Sequence, residues 1–274
     1  MASARVFPQT VGAADDPRLA DYRTVRDPER RRQAGTFLVE SALVVRRLLA
    51  ASRFRVRSLL LTPAALTSLR DAVERSGAVY PVYVAAPAVL SEILGFKFHR
   101  GCLAVAERGP TLAADELATP AGARTLLIAD GVADPENVGA LFRTARALGA
   151  SAMLLAPGCA DPLYPKAIRA SMGAALTLPF APLPDWPAEV DRLRRLGYLV
   201  VALTPAGEVD VADAFADPAR ASRTALVVGG EGSGLGPTVL AAVDVGVRIA
   251  MAPGVDSLNV AVAAGIALHR LRRI

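Results

Sequence analysis

The spacing of apolar residues changes several times along the chain. Up to about Asp21 the sequence is polar and aperiodic, which predicts a flexible leader over residues 1–20. From Phe37 to Ser52 the residues Leu38, Ala42, Val45, Leu48 and Leu49 recur at helical spacing with Arg46 and Arg47 opposite, so one helix is expected there. Aliphatic or β-branched runs follow at Val56–Leu61, Val79–Val84 and Cys102–Ala106, alternating with helical segments at Pro63–Arg75 and Pro87–Leu94. This predicts a small α/β domain over residues 21–108. Between Arg108 and Arg124 the sequence turns to Gly, Pro, Thr and Ala without a period, as a linker over 109–123 would. The second half, residues 124–274, repeats one theme. Continuous apolar runs at Leu126–Asp130, Ala152–Ala156, Leu199–Leu203, Ala225–Gly229 and Val245–Met251 are separated by helical stretches. Strands without alternation are buried on both faces, so the fold class is α/β, with a mostly parallel sheet covered by helices on both sides.

Composition narrows the classes. The 274 residues, 53% of them apolar, suffice for two modest cores. No run of about eighteen uncharged apolar residues is present, and Asp15, Asp16, Asp21 and Asp27 stand where a signal peptide would be apolar, so no membrane span and a cytoplasmic location are expected. Cys102, Cys159, His99 and His269 offer neither a disulfide framework nor a zinc spacing, and no metal is expected. The net charge of +5 suits a polyanion. Between Arg5 and Arg57 there are twelve Arg against six carboxylates, so the excess lies at the N-terminal end.

In a parallel sheet, ligands sit beyond the carboxyl ends of the strands. Three loops there are unusual. The first runs from Asp130 to Gly149, with Asp134 as N-cap before Pro135 and a helix to Leu148. Its apolar stripe is Val138, Leu141, Phe142, Ala145 and Leu148, which sets Gly139, Arg143 and Arg146 on another face. Taken alone, Arg143 reads as a solvated surface arginine. The second loop, Leu226 to Pro237, places Glu231 among glycines that permit close backbone approach. It lacks the Lys of a phosphate-binding loop, and its carboxylate would repel a pyrophosphate, so a nucleotide phosphate is not its ligand. Taken alone, it is also a flexible turn. In the third, Ile249 to Leu268, Ser257 can cap a final, nearly all-apolar helix, and Asn259 in its first turn must bond backbone, ligand or a partner chain.

Together, the order and wording of these loops resemble the three motifs of the SpoU (TrmH-type) RNA 2′-O-methyltransferases of the SPOUT superfamily. The match runs through Asp134-Pro-Glu-Asn-Val-Gly139 with Arg143, Ile168-Arg-Ala-Ser-Met-Gly-Ala174, Gly229–Leu235 and Ile249–Gly265, and spans essentially all of Arg124–Ile274. The front domain looks like the family's L30e-like substrate-binding module, through Phe37-Leu-Val-Glu-Ser and Arg100-Gly-Cys-Leu-Ala-Val105. The resemblance implies a trefoil knot, S-adenosylmethionine as cofactor and a homodimer. It also implies cofactor contacts from Leu203, Thr204, Gly229, Glu231, Gly232, Ile249, Met251, Ser257 and Leu258, and catalytic or site-shaping roles for Asn137, Arg143, Glu231, Ser257 and Asn259. Gly230 stands where many relatives carry Asn, and Pro253 where they commonly carry Gly.

The activity so implied is methyl transfer to a ribose 2′-hydroxyl of 23S-type ribosomal RNA, with transfer RNA as the alternative substrate and a non-catalytic RNA-binding protein as the alternative class. Because a guanidinium does not give up its proton in proteins, Arg143 is expected to clamp the developing alkoxide or an adjacent phosphate. RNA would be gripped by Arg26, Arg30, Arg31 and Arg32, by Lys97, Phe98 and Arg100 in an aromatic and basic loop, and by Arg146, Lys166 and Arg169. A hydrolase is set aside, since no G-x-S-x-G elbow occurs.

Overall fold

A computed structural model describes residues 8–23, 27–77, 79–119, 124–215, 222–232 and 234–271. The chain divides into two compact units, Met1–Pro110 with Leu163–Thr177, and Thr111–Pro162 with Leu178–Ile274.

The first unit is built on a five-stranded mixed sheet of β1 (Gln9–Thr10), β2 (Thr36–Glu40), β3 (Val56–Leu61), β4 (Val82–Val84) and β5 (Cys102–Glu107), ordered β1-β4-β3-β5-β2. β1 and β3 run parallel to β4, while β5 is antiparallel to both β3 and β2. The helices are α1 (Ala20–Arg23), α2 (Pro28–Gln33), α3 (Ala42–Ala51), α4 (Pro63–Arg75) and α5 (Pro87–Leu94). Two expectations are corrected here. Residues 8–20 are no flexible leader: Gln9 and Thr10 pair with β4, and Val11 and Leu19 are buried in the core with Leu60, Leu90 and Val105. The helix expected from Phe37 to Ser52 is a strand followed by a shorter helix. Phe37, Leu38 and Val39 are all buried in β2, a run too short for periodicity to separate the two forms, and Ser41 at φ 82° breaks the chain before α3 begins.

The second unit carries a seven-stranded sheet: β6 (Thr125–Asp130), β7 (Ala152–Leu155), β8 (Phe180–Pro182), β9 (Leu199–Leu203), β10 (Val209–Asp210), β11 (Thr224–Gly229) and β12 (Val245–Arg248), in the order β10-β12-β9-β11-β6-β7-β8. Every pairing in it is parallel. Its helices are α6 (Ala114–Leu117) and α7 (Pro135–Ala147), then, past α8 (Pro165–Ala170), α9 (Val190–Arg195), α10 (Val211–Ala214), α11 (Pro237–Ala242) and α12 (Val260–Leu271). α8 belongs to the first unit, where it packs on β2. Leu126, Ile128, Val200 and Val227 pack with Leu193 of α9 and Val239 of α11, while α7 packs on β7 and α12 on β9 and β11. Part of the segment read as a linker also packs: Ala118 is buried, and Leu112, Ala114 and Leu117 lie against the same core. β12 ends at Arg248, three residues before the expected Met251, which leaves the following loop longer.

Candidate active site

The loops after β6, β11 and β12 meet in one hydrogen-bonded network. Asp134 caps α7 by accepting from the Glu136 amide at 2.6 Å, and Pro135 supplies a preset φ at the first helical position. This fixes Asn137 in the first turn, buried to 9% exposure. Its Nδ2 donates to Glu231 Oε1 at 2.7 Å, while its Oδ1 accepts from Asn259 Nδ2 at 2.8 Å. Because a carboxylate only accepts, Glu231 sets which way the Asn137 amide faces, and Asn137 in turn orients Asn259. Asn259 Oδ1 accepts from the amides of Ala261 and Val262 at 2.9 and 3.4 Å. Asn259, rather than Ser257 as expected, therefore caps α12, because the helix begins only at Val260.

The glycines explain how the loops approach so closely. A Cβ on Gly229 would lie 2.5 Å from the carbonyl carbon of Gly234, and one on Gly207 would lie 2.4 Å from that of Val247. A Cβ on Gly230 would come within 2.2 Å of the Gly131 carbonyl oxygen. At Gly230 the backbone of the Gly131 turn fills the space a side chain would need. At the end of β6, burial pushes the Asp130 carboxyl above its usual range.

Beside the network lies a cavity of about 600 Å³. All nine expected cofactor positions line it: Leu203, Thr204, Gly229, Glu231, Gly232, Ile249, Met251, Ser257 and Leu258. Asn259 lines it too, with Pro205, Val228, Leu235, Asp256, Val260 and Ala263, which sequence reasoning missed. Asp256 was legible as the single carboxylate of the third motif loop. The others are apolar neighbours that no pattern marks.

Not every expected residue joins the cavity. Arg143 is exposed on α7 and is not among the lining residues; Arg146 is exposed one turn further on. Gly139 is buried in the structure although it lies off the apolar stripe, and α12 packs on α7, where Gly265 lies against Thr144. Of the residues assigned to RNA, Arg26 lies outside the described residues. Arg30, Lys97 and Lys166 are exposed, and Arg32, also exposed, pairs with Glu29 at 3.0 Å. Arg31 is only 4% exposed, and burial pushes its guanidinium below the usual range, so it does not present a charge to a surface ligand. Phe98 is likewise corrected: it packs into the core with Leu90 and Leu94, whereas Phe96 stands half-exposed. Arg100 and Arg169 converge on one carboxylate, Glu40, at 2.7 and 2.9 Å. A guanidinium hydrogen bond from Arg47 to the Met172 carbonyl ties the same segment to α3.

Among the described residues no helix is long and apolar enough to cross a membrane, and no His, Cys, Asp or Glu cluster could hold a metal.

The model of the SpoU rRNA methylase family matches residues 124–269. An uncharacterised tRNA/rRNA methyltransferase of Mycobacterium tuberculosis is 41% identical over 97% of this chain and 92% of its own length. The 23S rRNA (guanosine-2′-O-)-methyltransferase RlmB of a Burkholderia species is 34% identical, over 68% of this chain and 76% of its own. In structure, the AdoMet-bound rRNA methyltransferase of Sinorhizobium meliloti superposes with a TM-score of 0.78 at 25% identity, covering 97% of both chains.

Proposed function

Because the chain belongs to the SpoU rRNA methylase family, we propose that it transfers the methyl group of S-adenosylmethionine to a ribose 2′-hydroxyl of ribosomal RNA. The coarser statement, an S-adenosylmethionine-dependent tRNA/rRNA methyltransferase of this family, follows from membership. The finer one is supported by likeness to RlmB, a 2′-O-methyltransferase of 23S rRNA. The observation that carries it is the Glu231–Asn137–Asn259 network at the edge of a cavity lined by every expected cofactor position.

The residues fit the cofactor. The cavity is lined by backbone at glycines, by apolar side chains and, among the described residues, by carboxylates without a cation, which suits a ligand carrying positive charge. When bound, S-adenosylmethionine supplies an electrophilic sulfonium methyl. The chain positions the acceptor and stabilises the charge that develops on the 2′-oxygen as its proton leaves. Arg143 is exposed and outside the cavity, which supports its guanidinium as a clamp on that oxygen or on a neighbouring phosphate. Glu231 and Asn137 hold Asn259 in place, and Ser257 shapes the cofactor loop. Gly230 gives no ground for a non-catalytic reading, since its contact with Gly131 accounts for the missing side chain.

The same reading includes the trefoil knot and a homodimer; exposed Val255, Leu258 and Val262, at and before α12, support an apolar contact between copies. RNA contacts are assigned to Arg30, Arg32, Lys97, Arg146 and Lys166, with Arg100 and Arg169 dependent on release from Glu40. The test is transfer of labelled methyl to bulk rRNA and, separately, to bulk tRNA, followed by nucleoside analysis. Label in a 2′-O-methylnucleoside from rRNA is expected. Label only in tRNA would move the substrate, and label in a base would overturn the chemistry.

A further inference from the structure

The charged side chains around the cavity have one sign. Among the described residues that line it, Glu231 and Asp256 carry charge and none is a lysine, arginine or histidine. They come from different loops, one after β11 and one after β12, so the negative character belongs to the cavity and not to one stretch of sequence. The two carboxylates differ in circumstance. Glu231 Oε1 accepts from the amides of Asn137 and, at 3.5 Å, Asn259. Asp256 is exposed and forms no ion pair among the described residues. It is therefore available to a charge that arrives with a ligand.

Resting on the reading above, we propose that Asp256 is a specificity residue that distinguishes the methyl donor from the spent product by charge. The methionyl amino and carboxylate groups are present before and after transfer and cancel in net charge. Only the sulfur changes. In the reaction the sulfur–methyl bond breaks with its electron pair staying on sulfur, a carbon–oxygen bond forms to the 2′-oxygen, and the hydroxyl proton passes to solvent water, so a sulfonium becomes a neutral thioether. A cavity whose charged groups are carboxylates attracts the first and is indifferent to the second. Asp256 thus draws in S-adenosylmethionine and loses its hold once the methyl has gone, which favours exchange of product for fresh donor. The carboxylate is exposed and therefore screened, so the effect is one of selectivity and salt dependence, not of tight binding.

The experiment is calorimetric titration of the full-length protein with S-adenosylmethionine and, separately, S-adenosylhomocysteine, comparing wild type with Asp256→Asn and Asp256→Glu. The expected result is that Asp256→Asn weakens donor binding roughly three- to tenfold while product affinity stays within about twofold, and that Asp256→Glu keeps most of the wild-type preference. Raising salt should erode the preference of wild type but not that of Asp256→Asn. Equal weakening of both ligands would assign Asp256 to the methionyl ammonium or to loop structure, and an unchanged ratio would leave it without a role; either overturns the inference. If wild type bound neither ligand, the cofactor reading itself would fail, a separate outcome. Unchanged product affinity in Asp256→Asn doubles as the check that the cavity is intact.

Discussion

Asn259 donates its side-chain amide to Asn137 Oδ1 at 2.8 Å, across 122 residues of sequence, while its own oxygen caps α12 through the Ala261 amide. One side chain thus fixes the start of a helix and closes a network on Glu231. The two roles separate experimentally. Asn259→Asp retains a good N-cap but loses the amide donor to Asn137 and places a carboxylate against Glu231, so it should cost about 1–3 kcal/mol of stability from the network alone while methyl transfer falls roughly tenfold to hundredfold. Asn259→Ala should also cost about 1 kcal/mol through the lost cap. Thermal melts with a methylation assay check both. Equal activity of the Asp variant and wild type would reduce Asn259 to a cap.

Arg143 stands outside the cavity, so removing it should leave cofactor binding alone. For Arg143→Ala the donor affinity is expected within about twofold of wild type, with turnover down by roughly a hundredfold or more. Retained turnover on rRNA would exclude the clamp.

The close approach of Gly230 to Gly131 predicts that a side chain at this position is harmful. Gly230→Asn must move the Gly131 carbonyl or its own loop, and should cost about 1–3 kcal/mol in a denaturant titration while weakening donor binding. A variant as stable as wild type would mean that the loop yields freely.

Glu40 pairs with both Arg100 and Arg169, offsetting one of their two charges, with its own side chain only 15% exposed. In Glu40→Gln both arginines lose their carboxylate. RNA should then bind more tightly at low salt, and the slope of log affinity against log salt should steepen by about one to two. An unchanged slope would make both arginines structural ties between β2, its neighbouring strand and α8.

Cys102, fully buried in β5, has its thiol pushed up to about 11 by burial. At pH 8 the native protein should resist alkylation there until the first unit opens. Mass spectrometry of iodoacetamide-treated protein before and after denaturation checks this, and rapid native labelling would show that β5 opens readily.

Much of the architecture was legible one residue at a time. α4 and α5 run from Pro63 to Arg75 and from Pro87 to Leu94, the ranges that proline starts and periodicity marked, and five of the seven strands of the second unit match to within a few residues, whereas the short edge strands β8 and β10 carry no run long enough to mark them. Where the pattern misled, the cause was length. Phe37-Leu-Val39 is too short for a period of 2 to be told from one of 3.6, and pairing with β5 decided for the strand. Phe98 and Arg31 read as surface contacts because composition says nothing of which side of a loop or helix faces the core.

The sequence by itself determined helix starts and strand runs and, through the order and wording of three loops, a resemblance that marks Asn137, Arg143, Glu231 and Asn259 as candidate site residues. Proline starts, apolar runs and glycines are local information, written in side-chain types and backbone preferences. Tertiary structure alone decided how these residues meet. It alone joined Asn137, Glu231 and Asn259 into one chain of donors and acceptors, left Arg143 outside the cavity, and set Asp256 and Glu231 on the lining of that one cavity. It also set Arg100 and Arg169 on Glu40. Those are contacts across tens to more than a hundred residues, fixed by the geometry of close-packed loops and strands, and no period along a single chain encodes them.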